Sequence, residues 1–270
     1  MPAVDLVVTD LDGTFWHTDD HVPARTLAAV AELARRGVPL LIATGRRVAS
    51  TRAPLAAVGL APPAVVLNGA LGLDLATGVR FHRAPFTTEE AVAVQAAFAS
   101  AGLHPVTYVD HPDWDAFVGA APSTHPTHLR QLGSTAAVDD LARVAAEEAV
   151  LGFGMIGVSL AAGEAAHEAL RGLAEVHLDR SIDYPGLAAV TVAPRGQSKW
   201  DGVRAFCDLH GLRPDRVMAV ADGPNDLELL DRAAVRVVPA VAHQGALDRA
   251  DHVVPSAADG GWADLVDLLG

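Results

Sequence analysis

Over the first 80 residues, short apolar runs alternate with amphipathic stretches. Leu6–Thr9 is an apolar run with two valines, the texture of a strand buried on both faces. In residues 23–36, Leu27, Val30, Ala31 and Ala34 share one helical face; Pro23 suits the first turn and Gly37 the stop. Residues 38–43 read as a second apolar strand, 47–58 as a helix closed by Gly59, and 64–67 as a third strand. Strand, helix, strand, helix, strand predicts parallel pairing through right-handed crossovers.

Near residue 82 the texture changes. Thr87-Thr88-Glu89-Glu90 is a capping box opening a helix that ends near Gly102. A Pro- and His-rich stretch, residues 104–128, has weaker periodicity. A helix pattern over 138–149, a strand over 153–160 and a helix over 164–175 complete an α+β block. The first pattern then resumes: strand 189–192, helix 198–210 stopped by Gly211, strand 216–221, helix 224–232, short strands 235–238 and His252–Val254, and a last helix over 259–269. The predicted fold is α/β, with one doubly wound, mostly parallel, Rossmann-like sheet from residues 1–81 and 189–270. An α+β domain, residues 82–188, is inserted into it. Such sheets bind ligands at the C-terminal ends of their strands, so a cleft there, facing the inserted domain, is the expected site.

Composition narrows the function. The chain has 270 residues, half of them apolar and a fifth charged, enough to bury a core with no disulfide or metal staple. A net charge of −13 argues against nucleic acid and anionic membranes as partners. No apolar run approaches the ~18–20 residues of a membrane span, and the N-terminus lacks the basic region of a signal peptide. The single cysteine, Cys207, lies among Val203, Ala205 and Phe206 and reads as a small core residue; with no disulfide possible, a reducing, cytoplasmic setting is expected. Lys199 is the only lysine among twenty basic residues, and Asn68 and Asn225 are the only asparagines.

Polar groups recur where apolar strands stop. Asp10-Leu11-Asp12-Gly13-Thr14 follows the first strand. At ~4 Å, two carboxylates repel by about 4 kcal/mol at an effective dielectric of 20, so either a cation accompanies them or one is protonated and serves as an acid. Thr44-Gly45-Arg46 follows the second strand and offers a hydroxyl and backbone N–H groups to an anion. Asp222-Gly223-Pro224-Asn225-Asp226 follows the strand at 216–221, and its oxygens suit a hard divalent cation. Each has a plainer reading: an Asx turn, ordinary Thr-Gly turn chemistry, a solvated lysine, a helix N-cap. On one sheet edge, together with Lys199 and Asn68, they are the equipment for phosphoryl transfer. His104, His111, His125 and His128 fit no closed zinc site and read as loop or cleft-lining histidines. Trp114 reads as a partly buried anchor.

In this order the motifs resemble the haloacid dehalogenase (HAD) superfamily, and with Asn68-Gly69-Ala70 its Cof-like sugar-phosphatase branch, whose type II cap lies where residues 82–188 are inserted. The resemblance implies that Asp10 is the nucleophile and forms an aspartyl-phosphate, while Asp12 acts as acid and then base. It implies Mg2+ on the carboxylates of Asp10 and Asp222 and the backbone carbonyl of Asp12, with Asn225 and Asp226 in support. Thr44 and Lys199 would hold phosphate oxygens, joined by Gly45, Arg46, Asn68 and Asn225 in binding phosphate or substrate. Two departures stand out: Ala221 replaces the usual glycine before Asp222, and the branch's later Gly-Asn-Ala loop is replaced by Val238-Pro239-Ala240-Val241-Ala242-His243. The expected activity is Mg2+-dependent hydrolysis of a small phosphorylated metabolite, a sugar phosphate first. A phosphomutase and a non-catalytic binding protein on the same fold are the alternatives.

Overall fold

The computed structural model describes residues 4–17, 20–181 and 184–269. In chain order the first elements are β1 (Leu6–Thr9), α1 (Ala24–Arg35), β2 (Leu40–Ala43), α2 (Val48–Ala57), β3 (Pro63–Val66), β4 (Leu71–Asp74) and β5 (Arg80–Arg83). Then come α3 (Thr88–Ser100), β6 (Val106–Val109), β7 (Ala116–Val118), α4 (Pro126–Leu132), β8 (Ala136–Val138), α5 (Leu141–Glu147), β9 (Val150–Val158), α6 (Leu160–Ala169), β10 (Glu175–Arg180) and β11 (Ala188–Ala193). The chain closes with α7 (Lys199–His210), β12 (Val217–Val220), α8 (Leu227–Arg232), β13 (Val235–Pro239), α9 (Gln244–Leu247), β14 (His252–Val254) and a 3-10 segment, Gly261–Leu268. The chain divides into two compact units, Met1–Arg83 with Ser198–Gly270, and Ala84–Gln197.

The first unit is built on a sheet of order β14-β13-β12-β1-β2-β3-β4-β5. Pairing is parallel from β14 to β3 and antiparallel at β3–β4 and β4–β5. Leu6 and Val8 pack with Leu41, Ala43 and Val65 against Trp200, Val203, Phe206 and Cys207 of α7. Val7, pointing the other way, is equally buried, as a strand covered on both faces requires. β1 sits between β12 and β2, where the chain winds off in opposite directions; such a switch point opens a crevice at the strand ends.

The second unit carries a mixed sheet of order β10-β11-β9-β6-β7-β8. Phe98 of α3, Val144 of α5 and Ala166 of α6 share a core with its Phe117, Phe153 and Met155. Thr87 and Glu90 form the capping box at the start of α3, and Trp114 packs partly buried on this core.

Several expectations are corrected. The strand at 188–193 pairs antiparallel with β9 and β10, so it belongs to the second sheet, and the first unit resumes at Ser198 rather than at 189. Its small, apolar sequence matches that of a first-sheet strand; only its partners distinguish them. The helix expected at 164–175 begins at Leu160, capped by the Ser159 hydroxyl, and stops at Ala169; Glu175–Arg180 is a strand. The last segment is 3-10 rather than α. Among the described residues no helix is long and apolar enough to cross a membrane.

Candidate active site

Asp10 is the first residue past β1. Its N–H donates to the Val220 carbonyl at 2.9 Å, so pairing with β12 holds the start of the loop. Lys199, the first residue of α7, donates through Nζ to Asp10 Oδ1 at 2.8 Å and to Asp226 Oδ1 at 2.6 Å. The Lys199 side chain is wholly buried. Burial opposes its charge, but Asp10 and Asp226 hold its pKa above the usual lysine value. The second oxygen of Asp226 accepts the Gly223 N–H at 3.0 Å. Lys199 reaches this point because α7 docks on the loop after β3: a Cβ at Gly69 would lie 2.0 Å from the Ser198 carbonyl oxygen, so only glycine permits the approach.

Asp222 follows β12 and accepts the Thr14 hydroxyl. Asp10, Asp222 and Asp226 each bring a carboxylate oxygen within 4.8 Å of the other two. At that spacing a pair of charges repels by roughly 3 kcal/mol at an effective dielectric of 20, and one ammonium does not offset three carboxylates. The result is visible in their acidities. Burial first, then Asp226, Asp222 and Asp12, push Asp10 well above the usual carboxylate range despite Lys199. Burial likewise lifts Asp222 to about 7, against the Thr14 hydrogen bond. An all-oxygen donor set short of positive charge fits a hard divalent cation such as Mg2+. Both oxygens of Asp226 already have partners, which makes it the anchor of Lys199 as well as a member of this cluster.

Asp12 stands outside this cluster of three. Arg46 grips both its oxygens, Nε to Oδ2 at 2.7 Å and Nη2 to Oδ1 at 2.5 Å, and the Trp16 indole N–H adds a bond of 3.0 Å. Arg46 also lies 5.0 Å from the centre of the Trp16 ring, pairs with Asp20 at 2.7 Å and donates to the Ser50 carbonyl. Its guanidinium, expected to bind phosphate, is thus committed to Asp12 and its surroundings. Thr44 is buried and its hydroxyl oxygen accepts the Arg46 N–H at 3.2 Å, so its own proton is left to point elsewhere.

The loop after β3 is laced onto the loop after β2: Leu67 N–H donates to the Arg46 carbonyl and Asn68 N–H to the Thr44 carbonyl. Leu67, Asn68 and Gly69 all adopt positive φ, 51°, 53° and 106°. This backbone brings Asn68 Oδ1 over Gly45, 3.0 Å from where a Cβ would stand. Asn225 Nδ2 donates to the same oxygen at 2.9 Å. Where the Gly-Asn-Ala loop is absent, the His243 N–H donates to the Asp222 carbonyl at 2.9 Å, so the replacement loop still supports the turn that carries Asp222.

A family model described as haloacid dehalogenase-like hydrolase matches residues 7–266. The chain belongs to that family. It is a hydrolase of the phosphatase type, and its inserted second sheet has the fold of the cap found in a Cof-like, IIB-subclass relative. A phosphoglycolate phosphatase of Methanopyrus kandleri is 27% identical over 264 residues, covering 98% of this chain and 96% of its own. Among solved structures, the subclass IIB sugar phosphatase BT4131 superposes with a TM-score of 0.77 at 21% identity, covering 98% of this chain and 99% of that one. TM0651 of Thermotoga maritima gives a TM-score of 0.80 at 17% identity, over 99% and 98% of the two chains.

In this hydrolase the chain brings Asp10, Lys199, Asp222 and Asp226 into direct or near contact, and Thr44, Gly45, Asn68 and Asn225 into a second group. Asp12 and Arg46 form a third. Sequence reasoning missed Thr14, Trp16 and Asp20. Thr14 was legible, standing inside the first motif with a hydroxyl. Nothing local marked Trp16 or Asp20 as partners of Arg46 and Asp12.

Proposed function

We propose that this hydrolase cleaves small phosphate monoesters, sugar phosphates foremost, through an aspartyl-phosphate on Asp10. The observation that carries the reading is the convergence of Lys199 and two further carboxylates on a buried Asp10, which holds an oxygen nucleophile among charges suited to a phosphoryl group. Asp10 and Asp222 would hold Mg2+ with the Asp12 carbonyl, and Asp226 would support them. When bound, the ion supplies charge neutralisation for the phosphoryl oxygens.

An Asp10 carboxylate oxygen attacks phosphorus as the bond to the leaving oxygen breaks. Lys199 and the Thr44 hydroxyl stabilise the phosphoryl oxygens. Asp12 gives the leaving oxygen its proton, then takes a proton from the water that hydrolyses the acyl-phosphate. Residues 84–197 serve as the cap that selects the leaving group. The named activities of the relatives, on phosphoglycolate and on sugars, favour a short polar phosphate ester as substrate. A cytoplasmic setting agrees with one buried, unpaired cysteine.

The test is phosphate release from an aryl phosphate and a panel of sugar phosphates, with Mg2+ and with excess chelator. Activity that vanishes in Asp10→Asn and in chelator is the expected result. Full activity in either condition overturns the mechanism.

A further inference from the structure

Asp10 is held from behind by a chain of hydrogen bonds that begins at the far end of the sequence. The Trp262 indole N–H donates to Thr9 Oγ1 at 2.9 Å, 253 residues away in sequence, and the Thr9 hydroxyl donates to the Asp10 carbonyl at 2.8 Å. Thr9 and Trp262 are both essentially without exposure. A hydroxyl has one proton and can rotate it. Because Thr9 Oγ1 already accepts the indole proton, its own proton is directed onto the Asp10 carbonyl. Bonds aligned in this way in a buried, low-dielectric setting polarise one another.

The same indole touches the loop on its far side. Phe15 packs edge-on against Trp262, with ring centroids 5.1 Å apart and planes at 80°. Phe15 in turn donates its N–H to the Leu11 carbonyl, closing the turn that carries Asp10 and Asp12. It also meets Trp16, the donor to Asp12, edge-on at 6.0 Å. Trp262 therefore brackets the loop, by a hydrogen bond just before Asp10 and by ring contact after it.

We propose that Trp262 is a positioning residue for Asp10, acting through the Thr9 hydroxyl; this rests on the reading of Asp10 as nucleophile. The chain fixes the main-chain carbonyl, and with it the direction from which the carboxylate approaches phosphorus. An in-line attack is sensitive to such direction: a displacement of 1 Å can cost about a hundredfold in rate.

Four variants test it, each assayed by steady-state kinetics on one phosphate ester and by thermal melting. Trp262→Phe keeps the ring and deletes the donor; Thr9→Val keeps the shape and deletes the hydroxyl; Thr9→Ser restores the hydroxyl; Asp10→Asn reports on the nucleophile. Trp262→Phe and Thr9→Val are expected to lower kcat by about ten- to a hundredfold with KM changed less than about twofold. Thr9→Ser is expected to return kcat to near the wild-type value, and combining Trp262→Phe with Thr9→Val to cost no more than either alone. Wild-type kcat in both deletions, or equal kcat in Thr9→Ser and Thr9→Val, overturns the positioning role while an inactive Asp10→Asn leaves the nucleophile standing. An active Asp10→Asn overturns the nucleophile itself. Should Trp262→Phe fail to fold, the comparison of Thr9→Val with Thr9→Ser decides the question.

Discussion

Asn225 donates its carboxamide to Asn68 at 2.9 Å, so the chain's two asparagines meet across 157 residues of sequence. The bond ties the turn after β12, which carries Asp222, to the loop after β3. That loop is itself bonded to Thr44 and Arg46. Three strand exits are thereby locked into one rim by amides that carry no charge of their own.

The worth of that tie is measurable by a double-mutant cycle. Asn68→Gly is the right deletion at one end, because glycine takes the positive φ freely and adds no strain of its own. Combined with Asn225→Ala, the two changes should fall short of additivity by about 1 kcal/mol in denaturant unfolding. Additive losses would mean that the amides act independently.

Arg46 and Asp12 make the second testable relationship. Lysine cannot reproduce the two-pronged grip or the stacking on Trp16. Arg46→Lys should therefore lower kcat by at least about tenfold, a part of the ~10²–10⁴-fold that positioned acid–base catalysis supplies, with KM little changed. A raised KM at wild-type kcat would instead return Arg46 to the phosphate-binding role expected from the sequence.

The acidities give a prediction in pH. Burial raises Asp222 from an ordinary value of 3.8 to about 7 in the folded chain. The folded state then binds this proton more tightly than the unfolded one. Its stabilising effect is present at low pH and is lost as pH rises from about 4 through 7. Surface acids such as Glu32, lowered to about 2 by Arg35 and Arg36, work with the opposite sign but are ionised in both states above pH 5. In chelator, Asp222→Asn should accordingly gain in melting temperature relative to wild type between pH 5 and 8. Over the same range the rise in melting temperature that Mg2+ gives the wild type should grow, since an ion held by Asp222 would displace this proton. Parallel curves for the two proteins would contradict the raised acidity.

Much of this was legible in the chain because polar residues break apolar runs at strand exits. Asp10, Thr44 and Asp222 each stand directly or nearly so after a short buried strand, where side chains are free of the ladder. Lys199 was legible from composition, as the one lysine among arginines, yet the route to it was not. The strand before it, AAVTVA, has the texture of a first-sheet strand but pairs in the second. Strands of three or four residues, such as Ala116–Val118, are too short for a period of two to show, which hid β6, β7 and β8 of the second sheet. Partner choice was the other blind spot. That Arg46 would turn to Asp12, or Trp262 to Thr9, depends on where separate loops are brought together, and an aromatic near the C-terminus reads from sequence as core alone.

Gly13 is a position where a single methyl group would press directly on the acidic cluster. It has φ of +77°, which costs a residue with a side chain about 1–2 kcal/mol. The methyl would also stand 2.5 Å from Asp222 Oδ2, too close for any contact, so either the loop or the carboxylate must move. Moving Asp222 disturbs the Thr14 hydrogen bond and the oxygen cluster it shares with Asp10. Gly13→Ala should therefore lower stability modestly while raising the Mg2+ concentration for half-maximal activity by about tenfold or more, since ligand placement governs affinity. Loss of stability with unchanged Mg2+ dependence would show that the loop, not Asp222, gives way.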